Sequence, residues 1–208
     1  DLGIQSHRKD GLRVTPDNHM PIVTSVLAGE LNKQLVGACT QHGINAAGIS
    51  LADGNIAYCT EHPANIGAVG IPKANSKALL ASLFNANIVP VIASIGSDKN
   101  GRLYNVNADH AAICIAELLG TQLYFFADVS GVLDQNKQLI NELSHERSEQ
   151  LISEHVITDG MVVKVQAAQS AANKIQQAVT IASWDNTKQI LVEHLQYGTQ
   201  ILPASVPH

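Results

Sequence analysis

The chain has 208 residues, of which 45% are hydrophobic and 15% charged, so it can bury a sizeable core as one domain or as two lobes. Its formal net charge of -5 provides no basic surface for nucleic acid or an anionic membrane. Cys39, Cys59 and Cys114 are widely spaced, which indicates neither a disulfide framework nor a zinc site. We expect a soluble protein of the reducing cytoplasm, without a nucleic-acid or membrane partner.

The first predicted element is a long helix that begins at Thr15-Pro16, where a capping hydroxyl precedes a proline suited to the first helical position. Apolar residues recur along one face until the helix stops near Gly43. Two apolar runs, residues 46–51 and 56–59, flank Asp53-Gly54, which is typical of a β-hairpin. With a further short strand at 67–71, this region predicts a small antiparallel flap.

Helices and short apolar runs alternate through the rest of the chain. An amphipathic stretch at 76–85 leads to residues 89–93, a run typical of a strand buried on both faces. A helix at 108–119 ends at Gly120 and is followed by a second buried strand at 123–127. The elements predicted beyond it are helices at 144–157, 160–175 and 187–194 and a strand at 179–182. This alternation of helix and strand predicts parallel crossovers, and therefore an α/β protein.

Three polar clusters lie beside these apolar runs, at residues 105–109, 128–134 and 158–164. The cluster that begins at Asp128 follows a predicted strand at its carboxyl end, where open α/β sheets bind ligands. Compact polar side chains on rigid elements suit a phosphate, a ribose or a carboxylate. The ordered trio predicts a site for phosphoryl transfer.

Two charged residues in these clusters suit catalysis. Lys164 lies early in the helix opened by Asp159-Gly160, so its ammonium can reach ligand phosphates at the amino end of that helix. The alternative is a solvated surface lysine. Asp109 stands near the start of its own helix, where the helix dipole favours a carboxylate, and the alternative is a simple cap.

Other polar residues suit binding. Asn105 and Asn107 alternate along an extended segment, so both face one side and suit a small polar substrate, although turns use asparagine too. Arg13 offers a fork for a carboxylate, or an ordinary surface ion pair. The turn from Asp128 to Gly131 suits ribose and phosphates, or is merely a polar corner. The nine histidines show no metal-ligand spacing, so no metal site is expected.

Over residues 11–201 these motifs resemble the amino acid kinase family. The segments that carry the resemblance are Gly11-Leu12-Arg13-Val14-Thr15-Pro16, Ser94-Ile95-Gly96, residues 105–109, 128–133 and 157–164, Ala182-Ser183-Trp184 and Gly198-Thr199. Residues 105–109 together with the arginine motif resemble in particular the members that phosphorylate N-acetyl-L-glutamate on its side-chain carboxylate in arginine biosynthesis. The resemblance implies ATP as donor, with Mg²⁺ bound to the nucleotide.

The resemblance also implies an architecture. The family fold is a three-layer α/β sandwich in which a central, mainly parallel sheet lies between helices. Residues 1–120 match the lobe that binds the acceptor and dimerises, and residues 121–208 match the nucleotide-binding lobe. The long helix after Thr15 matches the helix that forms the family's homodimer.

Site residues follow position by position. Arg13 and Asn105 match the residues that bind the α-carboxylate and acetylamino portion of the acceptor, and Asn107 joins them from the pattern described above. Lys164 matches the lysine that stabilises phosphate charge, and Asp109 matches the aspartate that organises the catalytic cations. The residues that match the nucleotide-binding segments are Asp128, Val129, Ser130, Gly131, Val132, Leu133, Val156, Ile157 and Thr158.

One feature of the family is missing. Its members open with a K-L-G-G motif and a later G-G-G loop that hold the transferring phosphoryl, and this sequence has neither. We expect that the sequence lacks the natural beginning of its protein, because the predicted strands at 89–93 and 123–127 would otherwise be short of partners. The alternatives are a family member that acts on aspartate, glutamate, carbamate or uridylate, and a non-catalytic amino acid sensor.

Overall fold

The computed structural model describes residues 8–9, 12–193 and 197–204. The backbone forms two compact units, Asp1–Leu119 and Gly120–His208, and each has its own buried apolar side chains. Within the described residues, no helix has both the length and the apolar character needed to cross a bilayer.

The described part of the first unit opens with an antiparallel pair of short strands, β1 (Arg8–Lys9) and β2 (Leu12–Arg13), and continues with a long helical segment. Four stretches follow one another in that segment: a 3-10 turn at Asp17–His19, α1 (Met20–Thr24), a π-helical stretch at Ser25–Leu31 and α2 (Asn32–Gln41). The predicted long helix is therefore confirmed. The predicted cap is wrong, because Pro16 occupies the N-cap position without a side-chain hydrogen bond and the Thr15 hydroxyl donates to the Arg13 carbonyl at 3.3 Å.

Two parallel strands form a separate sheet in this unit. β3 (Ala46–Ser50) pairs with β6 (Val89–Ala93), and α3 (Ala78–Asn85) precedes β6. The predicted hairpin across Asp53-Gly54 is wrong, because β3 pairs with β6 rather than with the next strand. The Asp53 carboxylate accepts hydrogen bonds from the Ser50 N–H and hydroxyl at 2.7 and 2.8 Å, and this turn sends the chain away from β3.

A small closed barrel completes the strands of the first unit. Its members, in spatial order, are β4 (Ala57–Glu61), β5 (Val69–Ala74), β8 (Leu103–Val106) and β7 (Ile95–Ser97). The pairs β4–β5 and β7–β8 are antiparallel, so the antiparallel strands predicted from sequence lie here. Helix α4 (Ala108–Leu119) contacts β5 and ends before Gly120, whose φ of +63° suits a glycine after a helix.

The second unit is built on a four-stranded sheet in the order β10 (Glu142–Leu143), β12 (Thr199–Ile201), β11 (Val179–Ser183) and β9 (Leu123–Ala127). Its helices are α5 (His145–Ser153), α6 (Asp159–Ile175) and α7 (Thr187–Leu191). β9 and β11 are parallel, with Leu123 opposite Val179 and Ala127 opposite Ser183. Their carboxyl ends therefore lie at the same edge of the sheet.

Most of the predicted elements of this unit are confirmed. β11 is buried along its whole length, whereas in β9 only Leu123 is buried and the other residues are half-buried. α7 ends at Leu191, and the predicted helix end at His194 lies outside the described residues. The sequence missed β10 and β12, which contain two and three residues and are too short to show an alternating pattern. The α/β class with parallel strand pairs is confirmed.

Candidate active site

The carboxyl edge of β9 and β11 carries the predicted nucleotide segment. Asp128 follows β9 directly, and Trp184 follows β11. The Trp184 indole is 60% exposed and stacks on Phe126 with ring centres 5.9 Å apart. Ligands of open α/β sheets bind at such an edge. The structure therefore places Asp128 at the position expected of a ligand-binding residue.

Lys164 and Asp128 are in direct contact. Lys164 is on α6, and its Nζ donates a hydrogen bond to Asp128 Oδ1 at 3.0 Å. The hydrogen bond from the Lys164 ammonium, more than any other group, lowers the pKa of the Asp128 carboxyl from its usual value near 3.8. Asp128 is thus ionised at neutral pH. The side chains are 38% and 86% exposed, so water weakens this ion pair and a more strongly charged ligand can replace Asp128.

The amino end of α6, a few residues before Lys164 in the sequence, presents backbone N–H donors. Thr158 occupies the N-cap position in an extended conformation, and its side chain makes no capping hydrogen bond. Thr158, Asp159 and Gly160 are all exposed. Because the first N–H groups of a helix lack partners within the helix, this end suits an anionic ligand.

The segment from Asp128 to Leu133 divides into exposed and buried residues. Val132 is fully buried, and its N–H donates to the Thr199 hydroxyl at 2.7 Å. Gly131 has a φ of +140°, and a Cβ there would lie 2.7 Å from the same hydroxyl oxygen. The middle of the segment is therefore fixed to β12. Asp128, Ser130 and Leu133 are exposed, and Val129 is half-buried.

The last predicted nucleotide residues precede α6. The N–H groups of Val156 and Ile157 both donate to the Leu151 carbonyl, at 2.9 and 3.1 Å. The Ile157 side chain is buried, whereas Val156 is half-buried. The Ile157 side chain therefore packs in the hydrophobic core. Val156 and Thr158 are the members of this group whose side chains are accessible.

In the first unit, a chain of hydrogen bonds connects Arg13 to Asn105. Arg13 ends β2 and is exposed, with no hydrogen bond or ion pair of its guanidinium among the residues that the structure describes. Asn105, in β8, donates from Nδ2 to the Thr15 hydroxyl at 3.0 Å. That hydroxyl in turn bonds the Arg13 carbonyl. The two predicted acceptor residues are therefore joined through Thr15.

Asn107 and Asp109 lie beyond β8. Asn107 Oδ1 accepts hydrogen bonds from the backbone N–H groups of Asp109 and His110, at 2.9 and 3.1 Å, so Asn107 caps α4. Asn107 lies one residue beyond β8, which ends at Val106, so its place on the same face as Asn105 stays a prediction. The Asp109 carboxylate is exposed in the first turn of α4, and Asn107 rather than Asp109 supplies the cap.

Sequence reasoning missed the partners of Arg102. Its guanidinium bonds Asp17 and Glu61, each at 2.8 Å, and stacks over the Tyr104 ring at 5.0 Å. The two carboxylates are 85 and 41 residues away in the sequence, so no local pattern reveals the contacts. Through these two carboxylates Arg102 connects the start of the helical segment to β4. Asp17, at the start of that segment, is close in sequence to Arg13 and Thr15.

The sequence model of the amino acid kinase family matches residues 1–183. This chain belongs to the amino acid kinase family. It is similar to an acetylglutamate kinase of Yersinia enterocolitica, with 47% identity over 97% of this chain and 80% of the relative. The acetylglutamate kinase of Vibrio vulnificus is 43% identical over 98% of this chain and 78% of the relative.

Solved structures agree with membership of the amino acid kinase family at the level of the fold. A crystal structure from Streptococcus mutans superposes with a TM-score of 0.75 at 24% identity, covering 96% of this chain and 78% of that chain. N-acetylglutamate synthase from Neisseria gonorrhoeae gives a TM-score of 0.77 at 19% identity, covering 98% of this chain and 48% of that chain. The predicted amino acid kinase fold is therefore confirmed.

Proposed function

We propose that this chain is an acetylglutamate kinase, which transfers the γ-phosphoryl group of MgATP to the γ-carboxylate of N-acetyl-L-glutamate in arginine biosynthesis. The observation that carries the assignment is the similarity to acetylglutamate kinases at 43–47% identity over nearly the whole chain. The kinase predicted from sequence is thereby confirmed. Aspartate, glutamate, carbamate and uridylate kinases are the competing members of the family.

Residues of the first unit bind the acceptor in this proposal. The exposed Arg13 guanidinium forms a bidentate pair with the acceptor's α-carboxylate. Asn105 has an amide that both donates and accepts, which suits the acetylamino group. Asn107 contributes by holding the first turn of α4, since its side-chain oxygen is already bonded to two backbone N–H groups. This arrangement supports a role in alignment more than a direct contact for Asn107.

Residues of the second unit bind the donor. The Lys164 ammonium leaves Asp128 for the phosphate oxygens, because several anionic oxygens attract it more strongly than one exposed carboxylate. The uncapped amino end of α6 directs its N–H groups at the same phosphates. Asp128 and Ser130 lie where ribose hydroxyls can bond, and Val156 and Leu133 supply apolar contact. Lys164 then stabilises the charge of the transition state.

The transfer is direct, from the γ-phosphorus to an oxygen of the acceptor's side-chain carboxylate. Such reactions depend on alignment and charge stabilisation, and no covalent enzyme intermediate is required. MgATP supplies the phosphoryl group, and its magnesium ion neutralises nucleotide oxygens. The exposed carboxylate of Asp109 is a hard oxygen donor of the kind that orders a hydrated magnesium ion or a neighbouring ammonium. We assign Asp109 this organising role.

A homodimer in the cytoplasm completes the proposal. Three apolar residues of the long helical segment are exposed, Val26, Leu31 and Leu35, at 39%, 43% and 58%. Their spacing of five and four residues suits one face of a helix that includes a π-helical stretch. The three cysteines are free, as expected in a reducing compartment. Light scattering of the purified chain that gives a monomer mass would contradict the dimer.

An acceptor panel tests the function. The chain is incubated with MgATP and, in separate reactions, N-acetyl-L-glutamate, L-glutamate, L-aspartate, carbamate or uridylate, and ADP release is measured. Release with N-acetyl-L-glutamate well above the others supports the proposal, and a preference for another acceptor replaces it. Calorimetric binding of N-acetyl-L-glutamate without ADP release, by a chain that carries the K-L-G-G motif and the G-G-G loop, would instead favour the amino acid sensor.

A further inference from the structure

Thr15 is a buried polar residue between the two residues assigned to the acceptor. It is 1% exposed. Its N–H donates to the Ile66 carbonyl at 2.9 Å, and its own carbonyl accepts from the Ala68 N–H at 2.6 Å. Both backbone groups of Thr15 are therefore satisfied, and the hydroxyl is its one remaining polar group.

The Thr15 hydroxyl has one proton and can donate only one hydrogen bond. Once that proton is donated, the hydroxyl oxygen can only accept further hydrogen bonds. Thr15 Oγ1 donates to the Arg13 carbonyl at 3.3 Å. Toward Asn105 it can then act only as an acceptor, and it accepts from Asn105 Nδ2 at 3.0 Å. The nitrogen side of the Asn105 amide must therefore face Thr15. Because the amide is planar, its carbonyl oxygen is turned away from Thr15.

The backbones of Thr15 and Asn105 are fixed relative to each other by one intervening residue. The Ala68 N–H donates to the Thr15 carbonyl, and the Ala68 carbonyl accepts from the Asn105 N–H at 2.8 Å. Gly67, with a φ of +79°, allows this close approach, because a Cβ there would collide with the Thr15 carbonyl. With both backbones fixed, the Asn105 side-chain amide can still rotate, and its hydrogen bond to the Thr15 hydroxyl restricts that rotation.

We propose that Thr15 is a positioning residue for the acceptor, which acts through Asn105 and Arg13. Its hydroxyl holds the Asn105 amide with the carbonyl oxygen and the second N–H available to the acetylamino and carboxylate groups of N-acetyl-L-glutamate. Its bond to the Arg13 carbonyl anchors the strand end that carries the guanidinium. Because the Asn105 amide is already ordered before the acceptor binds, binding does not incur the entropy cost of ordering it. This proposal rests on the proposed function, since N-acetyl-L-glutamate is taken as the acceptor.

Two substitutions separate the hydroxyl from the shape of the side chain. Thr15→Val keeps the volume and removes the hydroxyl, whereas Thr15→Ser keeps the hydroxyl and removes a methyl group. We expect Thr15→Val to raise KM for N-acetyl-L-glutamate about tenfold, with kcat and KM for ATP changed less than about twofold. Thr15→Ser should stay close to the wild type. Equal effects of Val and Ser, or a loss confined to kcat, would overturn the positioning role.

A double-mutant cycle with Asn105→Ala tests whether Thr15 acts through Asn105. If it does, Thr15→Val weakens calorimetric binding of N-acetyl-L-glutamate much less when Asn105 is already alanine. An effect of the same size in both backgrounds would show a general structural role and overturn the proposal. Circular dichroism establishes folding first. If Thr15→Val does not fold, Thr15→Ala takes its place in the cycle.

A measurement without ligand distinguishes failure of this proposal from failure of the proposed function. In the wild type, one Asn105 side-chain amide proton should exchange slowly with solvent in nuclear magnetic resonance spectra, and Thr15→Val should abolish that protection while Thr15→Ser retains it. Unchanged protection in Thr15→Val would overturn the positioning role and leave the kinase intact. A wild-type chain that neither binds nor phosphorylates N-acetyl-L-glutamate overturns the proposed function, and the acceptor role of Thr15 with it.

Discussion

The Lys164 ammonium donates a hydrogen bond to Asp128 Oδ1 at 3.0 Å, which joins two residues that lie 36 positions apart in the sequence. Each was predicted to act at the phosphate site for its own reason, Asp128 from its place after a strand and Lys164 from its place in a helix. Both side chains are exposed, so the pair adds little to stability. We therefore expect changes at Lys164 to affect catalysis rather than folding.

Lys164→Ala should lower kcat by about 10²- to 10³-fold, because it removes a cation that stabilises charge in the transition state. KM for N-acetyl-L-glutamate should change little, since the acceptor residues lie in the other unit. Steady-state measurement of ADP release gives both constants. Lys174→Ala, in the last turn of the same helix, is the matched control and should keep kcat near the wild type. A loss of similar size in both variants would contradict the role of Lys164.

The titration of Asp128 reports directly on its bond to Lys164. Since the pKa of Asp128 is lowered in the fold, the ion pair's contribution to stability is present above about pH 3.8 and is lost as the pH falls through the lowered pKa. Lys164→Ala should raise the Asp128 pKa toward 3.8. The titration is measured from the chemical shift of the Asp128 carboxyl carbon in nuclear magnetic resonance spectra. Lys188→Ala, which removes an exposed pair with Glu193 in the same unit, should leave it unchanged. An Asp128 titration insensitive to Lys164 would refute the contact in solution.

Arg13→Ala should raise KM for N-acetyl-L-glutamate by roughly 10- to 100-fold, the loss expected for a charge-assisted pair with the α-carboxylate. kcat should fall much less, which reverses the pattern expected for Lys164. Arg13→Lys keeps the charge and loses the planar fork, so it should recover part of the affinity only. An unchanged KM in Arg13→Ala would remove Arg13 from the acceptor site.

Gly131→Ala should destabilise the protein by about 1–3 kcal/mol, because a non-glycine residue is strained at such a φ and its Cβ would press on Thr199. Val132, the next residue, bonds Thr199, so nucleotide affinity should fall as well. Gly37→Ala is the control: Gly37 is helical with open space around its Cβ position, and alanine there should stabilise by up to about 1 kcal/mol. Urea unfolding gives the free energy of unfolding of each variant relative to the wild type. Equal stability of the two variants would contradict the packing of this segment.

Long elements with a clear period could be predicted from the sequence. α4 and β9 begin and end where the sequence indicated, because each is a continuous apolar pattern bounded by a polar cluster or a glycine. The partner of a strand could not be predicted in the same way. Asp53-Gly54 does form a turn, but the turn does not determine which strand β3 pairs with, and β6 lies about forty positions further along the chain.

Single polar residues were the hardest to interpret, because distant partners compete with local ones. Thr15 has the sequence context of a helix cap, yet its hydroxyl bonds Arg13 and Asn105, which is 90 positions away. Asn107 has the context of a ligand residue, yet its side-chain oxygen caps α4. In both cases the residue type and its polar role were evident from the sequence, whereas the hydrogen-bond partner depended on the tertiary fold.

Trapping the product with hydroxylamine tests the central claim most directly. Transfer to the acceptor's side-chain carboxylate forms an acyl phosphate, which hydroxylamine converts into a hydroxamate that can be identified by mass. We expect N-acetyl-L-glutamate γ-hydroxamate to form only when MgATP and N-acetyl-L-glutamate are both present, in amounts equal to the ADP released, with almost none from Lys164→Ala. ADP release from the wild type without this hydroxamate, or undiminished hydroxamate from Lys164→Ala, would contradict the assignment of the reaction and of its catalytic lysine.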